Sequence, residues 1–170
     1  IGNASNLWLN HNPSFEEVKA AIDAFDFTGY NEIIFCGYGE PTNSFDVLVK
    51  TAQYIRSKLG IKIRVNTNGL GNLVNGRDIS AELCSNVDAV SISLNCSNKE
   101  DYLKTVRPKF GIDSFDEMLD FAKKCRALTE NVALSVVDVI GEDEIEKCQK
   151  IAEGLNIPLR VRKYDNSSDN

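Results

Sequence analysis

Apolar and polar positions along the 170-residue chain recur in two periods, one helical and one extended. In NPSFEEVKAAIDAF, Phe15, Val18, Ala21, Ile22 and Phe25 share one helical face, and Ser14 with Glu17 three residues on forms a capping box. Glu32 to Cys36 reads as a strand. SFDVLVKTAQYIRSKLG reads as a second amphipathic helix, capped by Ser44 and stopped at Gly60. IKIRVN is a strand that runs into TNGLGNLVNG, a loop rich in residues tolerant of positive φ. The pattern continues with a short helix in DISAELCSN, a strand in DAVSISLN and a helix in NKEDYLKTV, broken by RPKFG. DSFDEMLDFAKKCRAL is a long helix capped at Asp113 or Ser114. NVALSVVDV is a strand, GEDEIEKCQKIAEGLN a helix and IPLRVRKY the last strand. The closing DNSSDN, residues 165–170, is expected to be a disordered polar tail, leaving residues 1–164 as one domain.

Strands that alternate with helices predict parallel strands joined by right-handed crossovers. A parallel sheet covered on both faces has strands that are apolar throughout. These strands are two-sided instead. Ile61, Ile63 and Val65 oppose Lys62, Arg64 and Asn66; Val90, Ile92 and Leu94 oppose Ser91, Ser93 and Asn95; Leu159 and Val161 oppose Arg160, Arg162 and Tyr164. The pattern predicts helices on the greasy face and a polar face that curls around a hollow, a partial (β/α) barrel of TIM type with about five parallel strands. An open sheet with one wet face is the competing arrangement.

Composition narrows the function. Net charge is −6, pI is about 4.9, and no block of lysine or arginine is available to track a phosphate backbone, so nucleic-acid binding is not expected. No apolar run approaches the roughly 20 residues that span a bilayer and no leader opens the chain, so a soluble, cytoplasmic protein is expected. Five cysteines without a C-x-x-C pair fit free thiols in a reducing compartment, and no metal ligands are assigned. With His11 as its single histidine, the chain cannot build a multi-histidine metal site, and His11 itself reads as a surface residue. The chain opens at Ile1 rather than Met, and the expectation is that its natural beginning has been processed or left out.

Ligands of such folds meet the C-terminal ends of the strands, here CGYGEPT, NTNG, SLNC, VDVIG and RKY. In the first, Gly37 and Gly39 let a ligand approach the backbone, Glu40 adds a negative charge and Pro41 stiffens the exit. That set suits an ammonium group. A phosphate would want the opposite, and G-x-x-x-x-G-K-[ST] is missing. The plainer alternative is a tight strand-to-helix turn with an acid near a helix N-terminus.

FCGYGEPT resembles the G-x-G-E-P form of the motif after the second strand in radical S-adenosylmethionine (radical SAM) enzymes. The ordered set FCGYGEPT, RVNTNG, VSISLN, RPKFG and VRKY is similar to the branch associated with TatD-type nucleases, over about Leu7 to Tyr164. The resemblance implies strands two to six of a (β/α)6 core with the first strand absent. It implies that the backbone at Gly37 and Gly39, with Glu40, holds the methionine ammonium, and that Asn66 and Thr67 lie beside the methionine or substrate. Ser93 and Asn95 would bind ribose or carboxylate, Leu94 would contribute its backbone, Val137 would flank adenine, and Arg162 would meet substrate or the methionine carboxylate. S-adenosyl-L-methionine and a 4Fe-4S cluster are the implied cofactors, acting on an unknown small-molecule substrate. The C-x-x-x-C-x-x-C ligands of that cluster do not occur in this chain. The resemblance therefore implies a fragment, inactive as it stands, whose unpaired first-strand edge would associate with a second copy, and it extends to a TatD-type nuclease as partner. A non-catalytic barrel module binding a protein or a small polar metabolite is the alternative, and an open-sheet nucleotide or phosphosugar enzyme a third.

Overall fold

The computed structural model describes residues 10–164. Helix α1 (Phe15–Ala24) starts with the expected capping box and is followed by β1 (Glu32–Phe35). A 3-10 turn (Pro41–Ser44) leads into α2 (Phe45–Lys58), then β2 (Lys62–Thr67), α3 (Gly71–Asn75), α4 (Ser80–Asn86) and β3 (Ala89–Ser93). Helices α5 (Lys99–Val106) and α6 (Ser114–Leu128) precede β4 (Val132–Val137). A second 3-10 turn (Asp138–Ile140), α7 (Glu142–Gly154) and β5 (Leu159–Arg162) complete the order.

All five strands are parallel and lie in sequence order, β1-β2-β3-β4-β5. Sequential order with right-handed crossovers sends every helix to the same side of the sheet. The burial pattern agrees. On β2, Ile63, Val65 and Thr67 are buried while Lys62, Arg64 and Asn66 keep some exposure. Val90, Ile92 and Leu94 and then Val132, Leu134 and Val136 continue the buried row against Leu48, Ile55, Met118 and Phe121 from the helices. Each of these side chains contributes about 1.5–3 kcal/mol through burial. The protein is an α/β partial barrel.

Register then fixes what shares the opposite, concave face. Ile34 stands beside Arg64 and Arg64 beside Ala89; Asn66 beside Ser91 and Ser91 beside Ala133; Ser93 beside Ser135 and Ser135 beside Arg160. Ser91 and Ser135 have no helix over them, yet they are only 9% and 3% exposed. Neighbouring strands close around them, as in a curled wall.

Three local expectations are corrected. The loop TNGLGNLVNG contains a helix, α3, because Asn75 Nδ2 donates to the Gly71 and Thr42 carbonyls and Gly76 closes it at φ +62°. Ser44 makes no side-chain cap on α2; it lies within the 3-10 turn, whose cap is Glu40 upstream. Strand β1 ends at Phe35, so Cys36 is an exposed residue of the exit turn rather than a strand thiol. The tail at 165–170 lies outside the described residues.

Candidate functional site

The site grows from how β1 ends. After Phe35 the backbone turns through Cys36, Gly37, Tyr38 and Gly39, all exposed. Gly37 takes φ +153°, which L residues rarely adopt, and a Cβ at Gly37 or Gly39 would meet nothing within 4 Å. Among the described residues, the Gly37 and Gly39 carbonyls accept no backbone hydrogen bond. A hollow of about 530 Å³ opens beside the turn, walled by Val18, Val47 and Leu48. Pro41 at the first helical position then rigidifies the departure.

Glu40 is committed inward. Its Oε1 accepts from Thr42 N at 3.1 Å, Thr42 Oγ1 at 2.8 Å and Thr67 Oγ1 at 2.6 Å, while Oε2 accepts from Asn68 N at 2.8 Å. Thr67 Oγ1 in turn accepts from Gly69 N at 3.1 Å. Thr42 and Thr67 are 0% and 3% exposed. One carboxylate therefore ties the exit of β1 to the exit of β2. Charged acceptors make hydrogen bonds roughly twice as strong as neutral ones, so the tie is firm. Tyr102 lies near it on α5: burial, then the charges of Cys96 and Glu40, push its phenol up to about 12, and its hydroxyl has no partner among the described residues.

The other expected residues fall into two groups. Asn66, Ser93, Val137 and Arg162 share the concave face through register and alternation. Among the described residues Asn66 Oδ1 is buried there without a partner, and Arg64 Nε, a position earlier on the same face, is likewise unpaired. Thr67 and Leu94 belong to the helix-facing rows. Thr67 spends its hydroxyl on Glu40, and the Leu94 side chain is fully buried while its N–H donates to the Ser135 carbonyl at 2.9 Å. Asn95 follows at φ +63°, where the chain leaves β3. Thr42 and Asn68 were missed as partners of Glu40. Their signal was present, because a threonine two residues after an acid and an asparagine opening Asn-Gly are both turn residues that orient backbone N–H groups.

The glycine turn braced by Glu40 and the polar row of Asn66, Ser93 and Arg162 lie at the strand exits of a parallel (β/α) wall, where folds of this kind place their ligands. The Radical SAM superfamily profile matches residues 4–153, and the chain belongs to that superfamily. No curated protein matches the chain. A solved structure similar to it, a radical SAM methyltransferase from Sphaerobacter thermophilus, is 14% identical with a TM-score of 0.49. The alignment covers 95% of this chain and 61% of that one, so the chain spans about three-fifths of that relative's length.

The described residues do not fit an iron-sulfur cluster. Cys36 is exposed at the β1 exit, Cys84 is half-buried, and Cys96, Cys125 and Cys148 are buried. Among the described residues no three Cys, His, Asp or Glu side chains come together in a way that could hold a metal. Burial pushes the Cys148 thiol up to about 11, the opposite of what a thiolate ligand requires. Among them, too, no helix is long and apolar enough to cross a membrane.

Proposed function

We propose that this chain forms the S-adenosylmethionine-binding wall of a radical SAM enzyme, with cluster ligands supplied from outside its own residues. The observation that carries this reading is the exit turn of β1. Gly37 and Gly39 are exposed and their carbonyls accept no backbone hydrogen bond among the described residues, while the adjoining carboxylate fixes the turn from behind. A methionine ammonium would sit on those carbonyls, feeling Glu40 as a nearby negative charge rather than as a direct acceptor. Asn66, with its orphaned oxygen, would take a polar group of the methionine or the substrate. Ser93 and Asn95 would meet ribose hydroxyls, and Val137 would lie against adenine. The radical chemistry of the superfamily belongs to the cluster and the bound cofactor together; this chain's residues bind, orient and shield.

Equilibrium dialysis with S-adenosylhomocysteine tests the binding claim. Gly39→Ala leaves the fold intact, because the added Cβ meets nothing, but puts a methyl group where the ligand approaches. Roughly tenfold weaker binding is expected. Unchanged affinity, or no binding by the parent chain at millimolar concentration, would remove the assignment. The scattered cysteines favour one second reading, a barrel module that binds a polar metabolite without radical chemistry. A C-x-x-x-C-x-x-C segment encoded upstream of Ile1 would eliminate it.

A further inference from the structure

We propose that the concave face at β5 is an oxyanion seat, built for a carboxylate or phosphate group carried by the substrate; that the ligand is a substrate rests on the function proposed above. The inference starts from charge. The strand residues of the concave face include Lys62, Arg64, Arg160 and Arg162 against a single carboxylate, Glu32, on a chain whose net charge is −6. Arg64 is engaged, its Nη2 lying 2.9 Å from Glu32 Oε2. Arg56 and Arg77 pair with carboxylates on the outer surface. Arg160 and Arg162 pair with none among the described residues.

Their neighbours are donors too. Register sets Ser93 beside Ser135 and Ser135 beside Arg160, so two hydroxyls and a guanidinium form one row across three strands, with Arg162 one row further toward the exits. No acid interrupts these rows. Arg160 and Arg162, two residues apart on one face, have Cα atoms about 6.6 Å apart, within reach of a single oxyanion for two long side chains. Guanidinium forks match carboxylate and phosphate geometry and hold them by two parallel hydrogen bonds. Both arginines are exposed, and two like charges held side by side repel each other when empty and attract an incoming anion.

The methionine carboxylate does not explain the seat. In methionine the amine and carboxylate share one carbon, whereas the glycine turn lies after β1, four inter-strand spacings from β5, or about 19 Å along the sheet. A cofactor whose amine rests at Gly39 leaves Arg160 and Arg162 to a second molecule.

The test follows arginine Nε–H resonances by NMR while inorganic phosphate is titrated into the labelled 170-residue chain. The expected result is a saturable shift of Arg160 and Arg162 that weakens with added salt. Arg160→Gln with Arg162→Gln should weaken apparent affinity by roughly tenfold, the double lysine variant should lie between, and Lys50→Gln on the outer surface should change nothing. Equal shifts at Arg107 and Arg126, no saturation, or indifference to the double glutamine variant would overturn the seat. Repeating the titration with S-adenosylhomocysteine present separates the two readings. Phosphate binding without S-adenosylhomocysteine binding keeps the seat and removes the cofactor assignment; the reverse keeps the cofactor and removes the seat. Competitive displacement of phosphate gives the arginines to the cofactor and overturns the substrate assignment.

Discussion

The two ends of the sheet treat their charged side chains in opposite ways. At the β1–β2 end, Glu40 accepts four hydrogen bonds from its own chain. At the β5 end, Arg160 and Arg162 stand on the same concave side with no partner among the described residues. A charge that the protein satisfies internally serves shape, and one it leaves unsatisfied is available to a ligand. The residue that a motif advertises need not be the residue that touches the ligand.

The sharpest way to break the contrast is to damage the tied end. Gly69 has φ +79°, and a Cβ there would lie 2.7 Å from Met118 Cγ and 2.9 Å from Ile92 Cγ2. Gly69→Ala should cost about 3–4 kcal/mol by urea denaturation, from overpacking together with left-handed backbone strain. Glu40→Gln comes next. An amide in place of one carboxylate oxygen faces a donor with a donor, and a loss of about 2 kcal/mol is expected, with faster amide exchange at Asn68. A loss below about 0.5 kcal/mol would show that the tie is ornamental.

Alkaline titration probes the helix layer more gently, at Tyr102 near Glu40 and at Cys148 on α7, which packs against β4 and β5. Burial holds the Cys148 thiol at about 11 against an ordinary 9.0, and Tyr102 at about 12 against 10.0. The folded chain keeps these protons more tightly than the unfolded one, so this contribution is whole below pH 9 and is lost as pH rises toward 12. Tyr102→Phe deletes a hydroxyl that has no partner, so it should leave neutral stability within about 0.5 kcal/mol and flatten the decline above pH 10. A decline of unchanged steepness would assign it to the cysteines. The smallest effect belongs to the bare end, where Arg162→Gln should change stability by less than about 0.5 kcal/mol by thermal denaturation. A clear loss would mean that Arg162 has a structural partner.

The same division explains what could be read in the chain beforehand. The parallel (β/α) wall was legible because period-2 alternation in IKIRVN and VSISLN requires one greasy and one polar face, and the helices can pack only on the first. The concave placement of Asn66, Ser93 and Arg162 followed from the same period. The fate of Glu40 did not, because its partners Thr67 and Asn68 lie 27 and 28 residues away and only the β1–β2 register brings them close. Helix α3 was hidden for a similar reason: its Asn75 is anchored on the Thr42 carbonyl, 33 residues earlier. Local pattern carries the faces of strands, and pairing of distant exits decides which polar groups remain for a ligand.

The parallel register has one more consequence. β2 runs two residues past the end of β1, β3 one past β2, β4 two past β3, and β5 stops level with β4. That stagger averages about one residue per strand, the shear that closes eight tilted strands into a cylinder. Tilted by that amount, endings that climb along the sheet come level around a rim. The glycine turn and the paired arginines would then look into one aperture from opposite sides, so that a cofactor at the first and an anion at the second would face each other across it.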